Sequence, residues 1–143
     1  MKGYWYEEGY IRTSSFEFQL NDFSNFVHLT NDSIQNCSEN YGKYEDRNKI
    51  SYHQFQKYLD SKYGNLNFSQ EIIPKMKEIA LDCILASYKQ VQGSSSLPVF
   101  EIFGLDFMID ENFKLWLIEV NTNPCIQTNS SIIMEKIIPK MVD

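Results

Sequence analysis

The sequence is poor in cysteine, and its three cysteines have no arrangement that builds a site. Cys37, Cys83 and Cys125 are an odd set, widely separated, and none belongs to a CxxC pair. Zinc sites and disulfide frameworks need cysteines paired at defined spacings. The pattern therefore disfavours both kinds of site and indicates reduced thiols in a cytosolic protein.

Positive charge is also scarce. The 143 residues include 13 Lys and Arg but 19 Asp and Glu, which gives a formal net charge of −6. Proteins that bind nucleic acid neutralise phosphates with a surplus of basic side chains, so we expect no nucleic acid partner. No apolar run reaches the roughly 18 residues that a membrane-spanning helix needs, so we expect no membrane partner either. A single intracellular domain remains.

The chain does contain enough apolar material for a core rich in aromatic rings. Hydrophobic residues make up 43% of it and aromatic residues 15%. Helix and strand signals alternate along the sequence, which predicts an α+β or mixed α/β architecture. The predicted elements are, in order, a hairpin over 3–14 with its turn at Glu7-Glu8-Gly9, a long polar connection over 16–50, a helix from Ser51 that ends at Gly64, a helix capped by Ser69 that runs to about Gln92, a break at Gly93-Ser94-Ser95-Ser96, strands over 99–109 and 114–120, and a helix over 132–142.

The last two strands carry the most informative side chains. A two-residue loop at 111–112 predicts a hairpin in which Asp106 lies opposite Leu117 and Gly104 lies opposite Glu119. The two carboxylates are then diagonal neighbours on one face of the hairpin. The residues of the second strand expected on that face are Leu115, Leu117, Glu119 and Asn121.

Two carboxylates in mid-strand among large apolar residues repel each other unless something neutralises them. The oxygen-only set of Asp106, Glu119 and Asn121 suits Mg²⁺ better than zinc. Because Mg²⁺ usually takes further ligands from substrate phosphates, the pattern indicates a nucleotide. The alternative is an ordinary solvent-facing strand, although Gly104 within the strand favours close approach of a ligand or of another backbone.

Five blocks of the chain together resemble the tubulin–tyrosine ligase family, in sequence and in order. The resemblance covers residues from about 3 to 128. The blocks are Tyr10-Ile11-Arg12-Thr13, His28-Leu29-Thr30-Asn31, Tyr41-Gly42-Lys43-Tyr44-Glu45, and the segments 100–110 and 116–121.

This resemblance implies the C-terminal portion of an ATP-grasp fold, an α+β arrangement with a mixed or antiparallel sheet and flanking helices. It implies an enzyme that uses ATP and Mg²⁺ to join an amino acid to a tubulin carboxylate through an acyl phosphate, with tyrosine slightly favoured over glutamate or glycine. By position, Asp106, Glu119 and Asn121 match Mg²⁺ ligands that bridge ATP phosphates, Thr30 and Asn31 match nucleotide and phosphate contacts, and Arg12 matches a catalytic cation near the phosphates and the acceptor.

Taken without the family, several of these positions have simpler interpretations. Arg12 is typical of a surface strand residue, and Thr30-Asn31 is typical of a helix cap or turn. His28, next to Leu29, is interpreted as a packed structural residue in either case.

One part of the family pattern is missing from the sequence. The family's upstream lysines and adenine-site segment have no counterpart before Gly3, and no GxxxxGK[ST] loop replaces them. We therefore expect residues 1–143 to be a partial domain without the N-terminal ATP-binding portion, which binds Mg²⁺–ATP weakly or not at all. The alternatives are an inactive remnant that binds tubulin or microtubules, a ligase with another acceptor, and an α+β domain with an acidic face. The expected partners are the tubulin C-terminal tail, an amino acid and microtubules, in the cytoplasm at the cytoskeleton or a cilium.

Overall fold

The computed structural model describes residues 2–91, 99–125, 137, 139 and 141. The chain forms two compact units. The hairpin unit comprises Met1–Trp5 and Asn65–Cys125, and the loop unit comprises Tyr6–Gly64 and Ile126–Asp143. The predicted break at 93–96 lies outside the described residues, as does most of the predicted helix over 132–142.

The loop unit contains a short antiparallel sheet that joins distant parts of the sequence. β1 (Tyr10–Arg12) pairs with β2 (Lys49–Ser51). The predicted hairpin over 3–14 is therefore wrong, because the partner of β1 follows the long connection and does not precede the nearby turn. Beyond the strand ends, Thr13 N donates to Asn48 O at 2.9 Å and extends the ladder.

The polar connection between these strands contains short helical turns. They are α1 (Asn25–His28), α2 (Asp32–Gln35) and a 3₁₀ turn at Asp46–Asn48. Ser24 begins α1, and its hydroxyl accepts a hydrogen bond from Phe26 N at 3.2 Å. Such Ser, Asp and Asn positions favour local caps and turns over long regular elements.

The helix predicted from Ser51 is confirmed as α3 (Tyr52–Tyr63). Ser51 and Gln54 form a capping box, in which the Ser51 hydroxyl accepts from Gln54 N and Gln54 Oε1 accepts from Ser51 N at 2.8 Å. Gly64 ends the helix with φ 76°, in the left-handed region that favours glycine. Leu59 anchors the helix in the core, since it is only 1% exposed.

Two buried amides fix the path of the connection. Gln35 is fully buried, and its Oε1 accepts from Ser15 N at 2.8 Å while its Nε2 donates to Leu29 O at 2.5 Å. Asn48 Nδ2 donates to Ser15 Oγ at 2.9 Å, and Asn48 Oδ1 accepts from Gly42 N at 2.8 Å. Because unpaired polar groups are costly inside a protein, each amide holds several backbone segments in place.

A partly buried ion pair joins β2 to α2. Lys49 Nζ donates to Asp32 Oδ1 at 3.2 Å, and the Tyr41 hydroxyl donates to the same oxygen at 2.7 Å. Burial, followed by the hydrogen bond to Asp32 and the charge of that carboxylate, raises the pKa of Tyr41 from 10.0 to about 12. The neutral phenol is therefore the form that the folded protein stabilises.

In the hairpin unit, a π-helical turn at Phe68–Ile72 leads into α4 (Ile73–Val91). The predicted cap, Ser69, is wrong, because Asn67 takes that role and its carboxamide accepts from Gln70 N at 3.0 Å. The side chains that the turn and the helix bury are Phe68, Ile72, Met76 and Ala80. Ile72, Met76 and Ala80 follow one another at intervals of four residues, which is the spacing expected along one face of a helix.

The strand predicted over 99–109 is confirmed only from residue 104 onwards, as β3 (Gly104–Ile109), and the strand predicted over 114–120 is confirmed as β4 (Leu115–Asn121), its antiparallel partner. The described residues thus combine helices with two-stranded antiparallel sheets, so the α+β class is confirmed. The ATP-grasp arrangement stays a prediction. No helix in the described part of the chain has the length and apolar character needed to cross a bilayer.

Replacing Gln35 by Leu should lower the free energy of unfolding by about 2–4 kcal/mol, because Ser15 N and two backbone carbonyls lose their buried partner. Urea denaturation followed by circular dichroism measures this loss. The control is Gln19→Leu at an exposed position, where we expect a change within about 0.5 kcal/mol. Equal effects of the two substitutions would contradict the role given to Gln35.

The pKa of Tyr41 predicts a loss of stability at high pH. Because the pKa is raised in the folded state, the contribution is fully present below pH 10 and disappears as the pH rises through about 12. Urea denaturation across this range should therefore show a steeper fall for the native protein than for Tyr41→Phe. The exposed substitution Tyr44→Phe serves as the control, and parallel curves for native protein and Tyr41→Phe would refute the prediction.

Candidate functional site

The hairpin places Asp106 and Glu119 directly opposite each other, as it places Gly104 opposite Asn121. Residues directly opposite in an antiparallel pair project from the same face, with Cβ atoms about 4.5–5.5 Å apart. The expectation that the two carboxylates share a face is therefore confirmed. They are direct partners, however, and not the diagonal neighbours that were predicted.

The predicted register is wrong because the turn is one residue longer than expected. Asp110 N donates to Lys114 O at 3.0 Å, and Phe113 N donates to Asp110 O at 2.9 Å. Phe113 adopts φ 59°, in the left-handed region. A three-residue loop over 111–113 thus replaces the predicted two-residue loop, and a loop of this length commonly ends in a left-handed residue.

A β-bulge restores the shared face. Asp106 pairs with Glu119 whereas Phe107 pairs with Leu117, which leaves Ile118 as the extra residue of β4. Without the bulge, the longer turn would place Asp106 opposite Ile118, and Glu119 would project from the other face. The bulge therefore determines which side chain accompanies Asp106.

The bulge also changes the other neighbours of the carboxylates. Leu115 and Leu117 do not share the face of Glu119 as predicted, because the bulge turns them to the opposite side. Met108 and Trp116, which are directly opposite each other, lie on the carboxylate side and are 56% and 47% exposed. The pairing gives a carboxylate face of Gly104, Asp106, Met108, Trp116, Glu119 and Asn121, and an apolar face of Leu105, Phe107, Ile109, Leu115, Leu117 and Val120.

Asn121 adds an amide to the two carboxylates. Its Nδ2 donates to Glu119 Oε1 at 3.2 Å. Opposite Asn121, a Cβ on Gly104 would lie only 2.9 Å from the Cβ of Pro124. The close approach that Gly104 permits is therefore that of the segment after β4, which packs against the strand next to the carboxylates.

The side chains on the carboxylate face fit a Mg²⁺ ion. Carboxylate and amide oxygens are hard ligands, and a set of few protein ligands suits a cation that keeps waters and takes phosphate oxygens. Within residues 2–91 and 99–125, no three His, Cys, Asp or Glu side chains gather in a group that could hold a metal ion. The carboxylate face offers two acidic side chains and, as a third oxygen donor, the carboxamide of Asn121.

The hairpin turn fixes the position of Trp116. Asp110 Oδ2 accepts from Trp116 Nε1 at 3.1 Å, and Asp110 Oδ1 accepts from Lys114 N at 3.0 Å and from Asn112 N at 2.9 Å. These hydrogen bonds, above all that from Trp116, lower the pKa of Asp110. Lys114 Nζ lies 3.8 Å from the centre of the Trp116 ring, in a cation–π contact.

The other predicted site residues, Arg12, Thr30 and Asn31, lie in the loop unit. Arg12 ends β1 and is directly opposite Lys49 of β2. Asn31 caps α2 through its backbone alone, since its carbonyl accepts from Ile34 N at 3.0 Å and its side chain makes no capping bond. The helix-cap interpretation of Asn31 thus accounts for its backbone and leaves its exposed carboxamide unexplained.

Asp32 links Lys49, the residue opposite Arg12, to the turn that carries Asn31. It directly follows Asn31, and its Oδ1 accepts from both Lys49 Nζ and the Tyr41 hydroxyl. Burial by itself raises the pKa of Asp32, but the hydrogen bonds from Tyr41 and Lys49 outweigh it, and the pKa lies below its ordinary value. The carboxylate therefore stays ionised.

His28 is exposed, so the expectation of a packed residue is wrong, although the imidazole does make structural contacts. Its Nε2 is hydrogen-bonded to Asp22 O, and the ring of Phe18 contacts the imidazole edge-on at a centroid distance of 5.4 Å. Both contacts are local.

Sequence reasoning missed Asp32 and Lys49, and it placed Trp116 on the wrong face. β2 has three residues, which is too short for alternation to indicate which side chains are buried. The three-residue turn places Trp116 on the side of Asp106, and the bulge brings Glu119 to the same side; the sequence indicates neither irregularity. Lys49 lies between Asn48 and Ile50, and neither neighbour indicates that the lysine side chain is buried.

Comparison with known proteins identifies the family to which this sequence is similar. The sequence model of the Tubulin-tyrosine ligase family matches residues 1–143. Tubulin glycylase 3B of Tetrahymena thermophila is 36% identical over 133 residues, which are 92% of this chain and 11% of that protein. Tubulin glycylase 3A of Drosophila melanogaster is 38% identical over 134 residues, which are 90% of this chain and 13% of that protein.

A third relative is the human Tubulin monoglycylase TTLL3, 32% identical over 133 residues, which are 90% of this chain and 17% of that protein. The chain thus spans less than a fifth of the length of each of these three relatives. Because the family model matches from the first residue to the last, the chain belongs to the tubulin–tyrosine ligase family.

Proposed function

We propose that this chain is part of an ATP- and Mg²⁺-dependent carboxylate–amine ligase that adds glycine to a glutamate side chain of a tubulin tail. The observation that carries the proposal is the direct pairing of Asp106 with Glu119 on one face of the hairpin, with Asn121 hydrogen-bonded to Glu119. Membership in the family gives that arrangement its chemical context.

The reaction has two steps. A carboxylate oxygen of the acceptor attacks the γ-phosphorus of ATP, which forms an acyl phosphate and releases ADP. The amine of glycine then attacks the acyl carbon, the new amide bond forms, phosphate leaves with the C–O electron pair, and the proton lost by the nitrogen passes to the departing phosphate or to water. Both steps develop negative charge on phosphoryl oxygens, so catalysis depends on positive charge placed beside them.

Asp106, Glu119 and Asn121 are the residues that would hold Mg²⁺. The amide of Asn121 donates to Glu119 through its nitrogen, so its oxygen is the atom suited to a cation. When bound there, the ion would neutralise charge on the phosphates of ATP.

The rest of the carboxylate face suits a nucleotide. Met108 and Trp116 are exposed apolar side chains beside the carboxylates. A nucleotide combines charged phosphates with an aromatic base, and this face offers oxygen ligands for a phosphate-bound cation next to an apolar surface for a ring.

Three residues of the loop unit would serve the charged groups of the substrates. Arg12 supplies a guanidinium for the transferred phosphoryl group and the acceptor carboxylate. The carboxamide of Asn31 is exposed and takes no part in capping α2, which supports a role in binding phosphate. Thr30 lies beside it and offers a hydroxyl.

Glycine is the proposed amino acid because the relatives named above are glycylases. No residue of the sequence supported the slight preference for tyrosine, so glycine replaces tyrosine in this proposal. The proposed partners are the tubulin tail and microtubules, and the proposed location is the cytoplasm, at the cytoskeleton or a cilium.

Asp106→Asn and Glu119→Gln should each reduce ATP-dependent ligation at least about a hundredfold, because each removes a charge that would hold the cation. The assay uses the complete polypeptide that carries this chain, with tubulin, labelled glycine, ATP and Mg²⁺. Calorimetric titration with Mg²⁺–ATP gives a second readout. Glu111→Gln in the exposed turn is the matched control and should keep full activity. Unchanged ligation in both carboxylate variants would overturn the proposed site.

A competition assay tests the choice of amino acid. With equal concentrations of labelled glycine, glutamate and tyrosine, we expect glycine to be incorporated at least about tenfold faster than either of the others, since a site shaped for glycine excludes larger side chains. Mass spectrometry of the tubulin tails identifies the product. Faster incorporation of tyrosine or glutamate would reject a glycylase and leave the ligase chemistry intact.

A further inference from the structure

The small sheet of the loop unit brings two cationic residues together. Arg12 and Lys49 are direct partners across β1 and β2, so their side chains project from the same face. Like charges directly opposite in a sheet destabilise it. Lys49 is only 4% exposed, so water cannot offset the charge of its ammonium group as it would at the surface.

Asp32 compensates for the charge of Lys49. Its Oδ1 lies 3.2 Å from Lys49 Nζ, and the Tyr41 hydroxyl, at 2.7 Å from the same oxygen, fixes the orientation of the carboxylate. Because Lys49 is buried and already paired, it is not suited to contact a substrate. Asp32 is thus the counter-charge of the ammonium group on the residue that lies opposite Arg12.

The same carboxylate is also connected to the second group of proposed binding residues. Asp32 is the first residue of α2 and directly follows Thr30 and Asn31. A single ion pair therefore joins the strand beside Arg12 to the turn that carries the exposed carboxamide of Asn31. A change at Asp32 would disturb both.

We propose that Asp32 is a positioning residue, whose ion pair with Lys49 holds Arg12 in the arrangement that its proposed role with the substrates requires. This inference rests on the proposed function only in the role that it gives Arg12 with the substrates. The positioning of Arg12 itself is a property of the folded chain.

Three variants test this role: Asp32→Asn, Lys49→Met, and the two combined. Asp32→Asn keeps the size of the side chain but leaves the ammonium of Lys49 without a counter-charge, whereas the double variant removes both charges. Asp60→Asn, on the exposed side of α3 where Asp60 accepts from Gln56 Nε2 at 2.7 Å, is the matched control.

The first readout is the Nε–Hε resonance of Arg12 in the nuclear magnetic resonance spectrum of the 143-residue chain. We expect Asp32→Asn to shift this resonance, the double variant to bring it back towards its native position, and Asp60→Asn to leave it unchanged. Urea denaturation establishes the conditions under which every variant is fully folded, so that a loss of stability is not mistaken for a local change.

The second readout is ligation by the complete polypeptide. We expect Asp32→Asn to lower kcat/KM about tenfold and the double variant to recover it to within about threefold of native, because the coupling is between neighbours. An unchanged Arg12 resonance in Asp32→Asn, or a double variant no better than Asp32→Asn, would overturn the positioning role. If the native protein shows no ligation, the proposed function fails, and the Arg12 resonance alone decides the role of Asp32.

Discussion

The candidate site depends on the contact between Asp106 and Glu119. Two like charges directly across a strand pair repel, and an arrangement of this kind needs a compensating charge or full contact with water. The surroundings of the pair are organised accordingly. The opposite face of the hairpin carries the leucines, Phe107 and Ile109. The face that carries the two acids also carries an amide and exposed apolar side chains.

Much of this hairpin could be predicted from the sequence, because alternating apolar residues indicate strands. One acid has an even residue number and the other an odd one, and a two-residue turn brings such a pair to the same face. The turn itself could not. Phe113 is a bulky residue in a left-handed conformation, which its side chain does not favour, so nothing local indicated a third loop residue. The bulge at Ile118 was equally hidden, since it depends on how the two strands twist against each other. The longer turn and the bulge together leave Asp106 and Glu119 on a shared face, as predicted. Trp116 and the leucines of β4, by contrast, lie on the faces opposite to those predicted.

The loop unit was less predictable, for a different reason. The aromatic and β-branched residues around Gly9 are typical of a local hairpin, yet β1 pairs with a strand that lies beyond the whole connection. Pairing across such a separation leaves no periodic signal. It depends here on buried amides, Gln35 and Asn48, which are polar residues that sequence analysis assigns to the surface. By contrast, α3 was correct at both ends because its capping box and terminal glycine are local.

The unpaired position of Ile118 also has a consequence for how the length of β4 could change. As the unpaired residue of β4, it could be deleted while Asp106 and Glu119 stayed partners, because the flanking strands already alternate correctly on either side of it. A deletion or insertion elsewhere in either strand would exchange the two faces beyond that point unless a new irregularity formed. Within this hairpin, Ile118 therefore marks the position at which evolution could change the number of residues without moving an acid to the apolar side.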